Sequence, residues 1–239
     1  MLFLYFLLSF LTSLILIPFL KKIAEKKGLF DVAEGDVLKI HKKPIPVLGG
    51  LAMLTALIIG LLFFCFQKQD FSYKITAIIF GSLIIFLLGF WDDLKWKHIS
   101  QIKPHFKFLL LIIFPSISAL ILFSSGIKFN FFPVSILAGL LTFLYIFVLI
   151  NGVNYQDGMD GLVGGLTAIS LIGFIVLSLI SGNNLALILS LILLGAVLGF
   201  LIFNFPPAKI FMGDSGAYFL GFILTVLAII FSRPYNIAS

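Results

Sequence analysis

Asn151, Asn154, Asp157 and Asp160 recur every three residues in "NGVNYQDGMDG", between two strongly apolar runs. In a helical or turn-like segment that spacing projects them to roughly one side, and carboxylates and amides are the only ligands they offer. Oxygen donors without cysteine suit Mg²⁺, which keeps several waters and commonly binds through one or two carboxylates plus substrate phosphates. Three further stretches have matching chemistry. "GFWDDLKWK" ends an apolar run with Asp92 and Asp93, and "NFPPAKIFMGDSGAYFLGF" begins the last run with Asp214. "HKKPIPVLGG" presents Lys42 and Lys43, held by Pro44 and Pro46, with Gly49-Gly50 allowing close backbone approach. Carboxylates and amides for a metal, lysines for phosphate charge, no redox ligands and no serine or cysteine nucleophile with its base together point to phosphoryl transfer.

Each stretch also has a plainer explanation. Asp92 and Asp93 face the negative end of the helix macrodipole, so capping does not explain them, although a solvated pair offset by Lys95 and Lys97 would. Adjacent carboxylates repel unless a cation or a shared proton relieves them. Asp160 and Asp214 each precede an apolar helical run, where an aspartate commonly caps free backbone N–H groups. "GDSG" resembles the nucleophile segment of chymotrypsin-like proteases, but the chain lacks that fold's β-rich pattern.

The elements that must position these residues are membrane spans. The chain has 239 residues, is 61% hydrophobic with mean hydropathy +1.21, and has only 11% charged residues. Apolar windows near 1–20, 46–66, 73–91, 105–123, 131–150, 161–181, 185–203 and 214–232 predict eight transmembrane helices in an all-α polytopic bundle. The first window is read as a span rather than a signal peptide, because positive charges follow it and no small-residue cleavage site ends it. Cys65 lies inside an apolar run and is read as packing. Gly195 and Gly199 form a small-xxx-small pair, read as helix packing.

Alternating loops put 21–45, 92–104, 151–160 and 204–213 on one face. That face, with Lys107 at a span edge, holds 12 of the 16 basic residues; Lys68, Lys74, Lys128 and Arg233 lie opposite. The positive-inside rule then makes it cytoplasmic and the N-terminus external. Nine of the ten acids, all but Asp70, and the three histidines fall on the same face, although neither was used to orient it. Lys21, Lys22, Lys26 and Lys27 are read as topology determinants and contacts to anionic membrane lipids.

"HKKPIPVLGG", "WDDL", "NGVNYQDGMDGL" and "FPPAKIFMGDSGA", in this order and on one face, resemble the polyprenyl-phosphate N-acetylhexosamine-1-phosphate transferases, the family that includes phospho-N-acetylmuramoyl-pentapeptide transferase. The match runs from about His41 to Phe222, and its wording looks more like the N-acetylglucosamine branch. The resemblance implies transfer of a sugar 1-phosphate from a UDP-N-acetylhexosamine to undecaprenyl phosphate at the cytoplasmic face of a bacterial membrane, releasing UMP and initiating cell-envelope glycan assembly. It implies Mg²⁺, with Mn²⁺ as the substitute, and a homodimer is the expected assembly; no nucleic acid partner is expected. By position, Asp214 matches the family's metal-ligating aspartate, with Asp92 as a second ligand, and Asp92 and Asp93 match its essential pair. Asn154, Asp157 and Asp160, with Asn151 beside them, match the nucleotide and diphosphate positions, Phe211 the uracil-stacking aromatic and Lys42 the phosphate-facing lysine.

Two departures from the pattern stand out. The segment between Asp31 and His41 is longer and lacks the usual proline and arginine. After about eight spans the chain stops at Ser239, where the family continues with further spans and a basic, His-containing loop, so the expectation is one membrane domain over 1–239 without those parts. An intramembrane aspartyl protease would need G-x-G-D where this chain reads "FMGD". A transporter would place its helix breaks near the bilayer midplane, whereas these cluster at one boundary.

Overall fold

The computed structural model describes residues 1–31, 44–69, 71–95, 104–129 and 135–232. It contains eight long helices: α1 Leu2–Lys27, α2 Gly49–Lys68, α3 Tyr73–Lys95, α4 Pro104–Ser124, α5 Ser135–Gln156, α6 Leu162–Ser181, α7 Asn184–Asn204 and α8 Gly213–Phe231. Each is long and apolar enough to cross a membrane, as the window pattern predicts. The first predicted window is too short at its C-terminal end. Lysine and glutamate are good helix formers, so α1 continues past the apolar run to Lys27 and stops at Gly28, whose φ of 63° lets the Gly28 and Leu29 N–H groups close back on Glu25 and Ala24.

The helices are not equally buried. About three quarters of the α7 and α8 spans are enclosed (78% and 72%), against 22% of α1, α4 and α5, so α7 and α8 form the centre. α7 packs on α1, α6 and α2; α8 packs on α3, α5 and α2. Glycines set these contacts. A Cβ on Gly195 would lie 2.3 Å from the Phe6 carbonyl oxygen and one on Gly199 2.7 Å from that of Phe10, so the small-xxx-small pair lets α7 lie against the α1 backbone. Between α2 and α8, a Cβ on Gly50 would lie 2.6 Å from Gly216 Cα. Several hydroxyls inside the bundle are satisfied locally: Ser82, Thr142, Ser178 and Thr225 each donate to the carbonyl four residues earlier.

A two-stranded ribbon was not anticipated. β1 (Phe30–Asp31) pairs antiparallel with β2 (Ile45–Pro46), and Val47 makes a parallel bridge to Phe211. The ribbon ties the end of α1, the entry to α2 and the loop before α8 together. These contacts, with those between Asp93 and Asp214 and between Asp160 and Ala208, bring described residues of all four loops assigned to one face together at one end of the bundle.

Candidate active site

The site grows from the start of α8. Gly213 has φ 74°, a left-handed turn that suits glycine, and Met212 before it supplies no side-chain cap. The first free N–H groups of α8 are taken by another helix. Asp93 Oδ1 accepts from the Asp214 N–H at 2.8 Å, and Asp93 Oδ2 from the Ser215 N–H at 3.1 Å. Gly89, one turn earlier on the same face of α3, makes this possible: a Cβ there would lie 2.5 Å from the Asp214 carbonyl oxygen and from Ser215 N. The sequence argument that capping does not explain the aspartate pair holds for α3 itself and fails for Asp93, which caps α8 from outside.

Asp92, its neighbour, turns elsewhere. It is 4% exposed, and its Oδ2 lies 2.5 Å from Lys107 Nζ in the first turn of α4. The Asp92 carboxyl is also within hydrogen-bonding reach of that of Asp214. Asp214 Oδ1 in turn accepts from Asn154 Nδ2 at 2.8 Å. Two carboxyls, an ammonium and an amide from α3, α8, α4 and α5 therefore converge. Lys107 offsets Asp92; Lys97 and the side chain of Lys95, the cations that the sequence suggested, lie outside the described residues.

The "NGVNYQDGMDG" residues do not share one side. Steps of three fall about 60° short of a full helical turn, so the three steps from Asn151 to Asp160 would drift through roughly half the circumference, and α5 ends at Gln156. Asn151 donates to the Phe147 carbonyl of its own helix at 2.7 Å, so its amide N–H is not brought to the carboxyls. Asn154 reaches Asp214. Asp157 is half-buried; burial, helped by the Asp93 and Asp31 carboxylates, pushes its carboxyl up to about 7. Asp160 does not cap α6, which starts from Gly161 at φ 73° with no side-chain cap. Its Oδ2 instead accepts from the Ala208 N–H at 2.9 Å, bracing the loop before α8.

A residue the sequence reasoning passed over completes that brace. Asn204, 5% exposed, accepts from the Gly161 N–H at 3.0 Å and donates to the Ile210 carbonyl at 2.9 Å. Phe211 follows, half-buried, its backbone fixed at both ends: its N–H donates to Pro46 and its carbonyl accepts from Gly49. Lys42 lies outside the described residues.

The glycosyl transferase family 4 model matches residues 75–232, a span that runs from α3 through α8 and includes every one of these converging groups. The chain belongs to glycosyl transferase family 4. Within this family it is 38% identical, over 94% of its length, to a probable undecaprenyl-phosphate N-acetylglucosaminyl 1-phosphate transferase of Bacillus subtilis, of which it covers 62%. It is also 34% and 33% identical to phospho-N-acetylmuramoyl-pentapeptide-transferases of Bacillus velezensis and Bacillus subtilis, covering 72% of each. The chain thus spans somewhat under two thirds of the first of these relatives.

For a family 4 chain, the donor set can be tested against a divalent cation. Among the described residues no group of three or more Asp, Glu, His or Cys is arranged to hold a metal ion. Asp92 and Asp214 nevertheless face each other, and two adjacent carboxyls are relieved by a cation between them. Mg²⁺ is commonly held by one or two carboxylates with water and phosphate oxygens completing the shell, so this pair fits. Lys107, counted by sequence only as a boundary cation, is the other missed residue; its signal was a lone lysine inside the α4 apolar window.

Proposed function

We propose that this chain carries the catalytic centre of an enzyme transferring N-acetylglucosamine 1-phosphate from UDP-N-acetylglucosamine to undecaprenyl phosphate, at the cytoplasmic face of a bacterial membrane. The observation that carries it is the convergence of Asp92, Asp214, Asn154 and Lys107 at one end of a helix bundle, in a chain whose relative bears that activity in its name. An oxygen of the lipid phosphate attacks the sugar-bearing phosphorus of the UDP-sugar. The bridge to the uridine-bearing phosphate breaks, UMP leaves, and a lipid-linked diphosphate sugar remains.

The lipid phosphate, as a monoester with a second pKa of about 6, is largely dianionic at neutral pH, so a dedicated general base is not required. Asp92 and Asp214 would hold Mg²⁺, or Mn²⁺ in its place, and Asn154 fixes the rotamer of Asp214. Bound there, the ion would neutralise charge on the diphosphate as the bridge breaks. Lys107, whose side chain is 41% exposed, is both tied to Asp92 and open to solvent, which suits a cation that meets phosphate. A cluster at one end of the bundle suits one reactant from the lipid and one from water, and the excess of lysines on that face supports a cytoplasmic orientation.

The test is UMP release by the purified full-length protein with UDP-N-acetylglucosamine, undecaprenyl phosphate and Mg²⁺. Release that disappears in Asp214→Ala is expected. Folded protein that yields no UMP with any UDP-N-acetylhexosamine, or undiminished release by Asp214→Ala, refutes the proposal.

A further inference from the structure

The adjacent aspartates of α3 are oriented to different ends. Asp92 is turned into the carboxyl and ammonium cluster. Asp93 has both oxygens committed to main-chain N–H groups, those of Asp214 and Ser215. The start of α8 has no side-chain cap from its own chain segment, so Asp93 supplies what that helix lacks. Two glycines leave the room in which this carboxylate meets the backbone of α8. A Cβ on Gly213 would lie 2.6 Å from Asp93 Oδ2, and one on Gly89 would strike the Asp214 carbonyl oxygen.

We propose that Asp93 is a positioning residue and not a proton acceptor: it fixes the first turn of α8, and through it the direction in which the Asp214 carboxylate points. Where Asp214 meets the reacting phosphates, the inference rests on the transfer reading given above; the capping of α8 does not. Hydrogen bonds between a carboxylate and helix N-terminal N–H groups are charge-assisted and directional, and each favours the charged form over the protonated one that a base must become. Misplacement of a reacting geometry by about 1 Å can cost a hundredfold in rate, so a group that touches no substrate can still be essential.

Amide hydrogen exchange of the full chain in detergent, followed at residues 211–218, tests the cap without any need for turnover. Asp93→Asn keeps the shape but leaves only one acceptor oxygen, and about tenfold faster exchange of the Asp214 and Ser215 amides is expected, the loss of a helix cap. Asp92→Asn, which removes the same charge one residue away, should change that exchange less than about twofold, the scatter expected without loss of a cap. In turnover, Asp93→Asn should lower kcat with little change in KM for the UDP-sugar. The acid limb of its pH–rate profile should stay where it is in the unmodified protein, and Asp93→Glu should recover part of the rate. Unchanged exchange in Asp93→Asn, equal acceleration in Asp92→Asn, or disappearance of the acid limb overturns the proposal. If exchange accelerates as expected while even the unmodified full-length protein releases no UMP, the role of Asp93 stands and the transfer reading falls.

Discussion

The side-chain amide of Asn154 donates to Asp214 across 2.8 Å and so joins the last turn of α5 to the first turn of α8. An amide in this position gives Asp214 a partner without competing for a cation, which a lysine there would do. Asn154→Ala leaves a largely enclosed carboxylate oxygen without its donor, a change worth about 1–3 kcal/mol of stability. The expected loss in kcat/KM is larger, on the order of 10–100-fold, because the rotamer of Asp214 is then free. Thermal melting in detergent beside UMP release separates the two; an activity loss no greater than the stability loss explains would refute the orienting role.

Lys107 and Asp92 form a pair of unequal burial, the lysine side chain 41% exposed and the aspartate side chain 6%. Lys107→Met strands Asp92 beside Asp214 with no ammonium. Removing one partner of a fully buried pair costs about 3–5 kcal/mol, and solvent at the lysine lowers this to about 1–3. In Lys107→Met/Asp92→Asn the stranded charge is gone, so at least half of that stability should return. A double variant no more stable than the single one excludes a direct coupling.

The two missed groups show where sequence reasoning stops. The eight spans were legible because apolar runs near twenty residues and flanking lysines carry the information locally, and the glycine pair of α7 because its spacing matches a helix face. Gathering of Asp92, Asp93, Asn154, Asp157, Asp160 and Asp214 at one end followed from loop alternation alone. Their partners did not. Asp93 to the backbone at 214, Asp160 to that at 208 and Asn204 to two loops are long-range bonds to main-chain groups, which leave no mark in side-chain identity. Lys107 sits in α4 near the boundary, where a lysine that anchors a span and one that faces a site look alike.

The carboxyl of Asp157 gives a pH dependence with a defined sign. It titrates near 7 in the folded protein against an ordinary value of 3.8, so between those values the folded chain holds a proton that the unfolded chain has released. Stability contributed by this group is therefore present at pH 4 and declines as pH rises toward 7. Melting temperatures measured from pH 4 to pH 8 should show that decline, and Asp157→Asn should flatten it. A variant whose curve parallels the unmodified one would assign the slope to another group.

Gly213 and Gly126 make a natural comparison, because both have positive φ, 74° and 84°, and only Gly213 is crowded. Nothing lies within 4 Å of a Cβ on Gly126, so Gly126→Ala costs the left-handed backbone alone, about 1 kcal/mol. Gly213→Ala adds a methyl 2.6 Å from Asp93 Oδ2 and should cost about 2–3 kcal/mol, with the excess arising from overpacking and the displaced carboxylate. UMP release should fall in Gly213→Ala and stay unchanged in Gly126→Ala. Equal stability losses would mean that the crowding at Gly213 relaxes freely.

Because Asp93 accepts from the main-chain N–H groups of Asp214 and Ser215, this part of the cap requires no particular side chain at 214. The foundation of the last helix is therefore tied to position 215, whose hydroxyl is also within hydrogen-bonding reach of Asp93, more than to position 214. Asp214→Asn keeps the shape and every N–H of the first turn, and it changes only the charge presented to the cluster. The architecture thus offers a natural socket: position 214 can be refitted with another oxygen or nitrogen donor while α8 still starts at the same place and angle.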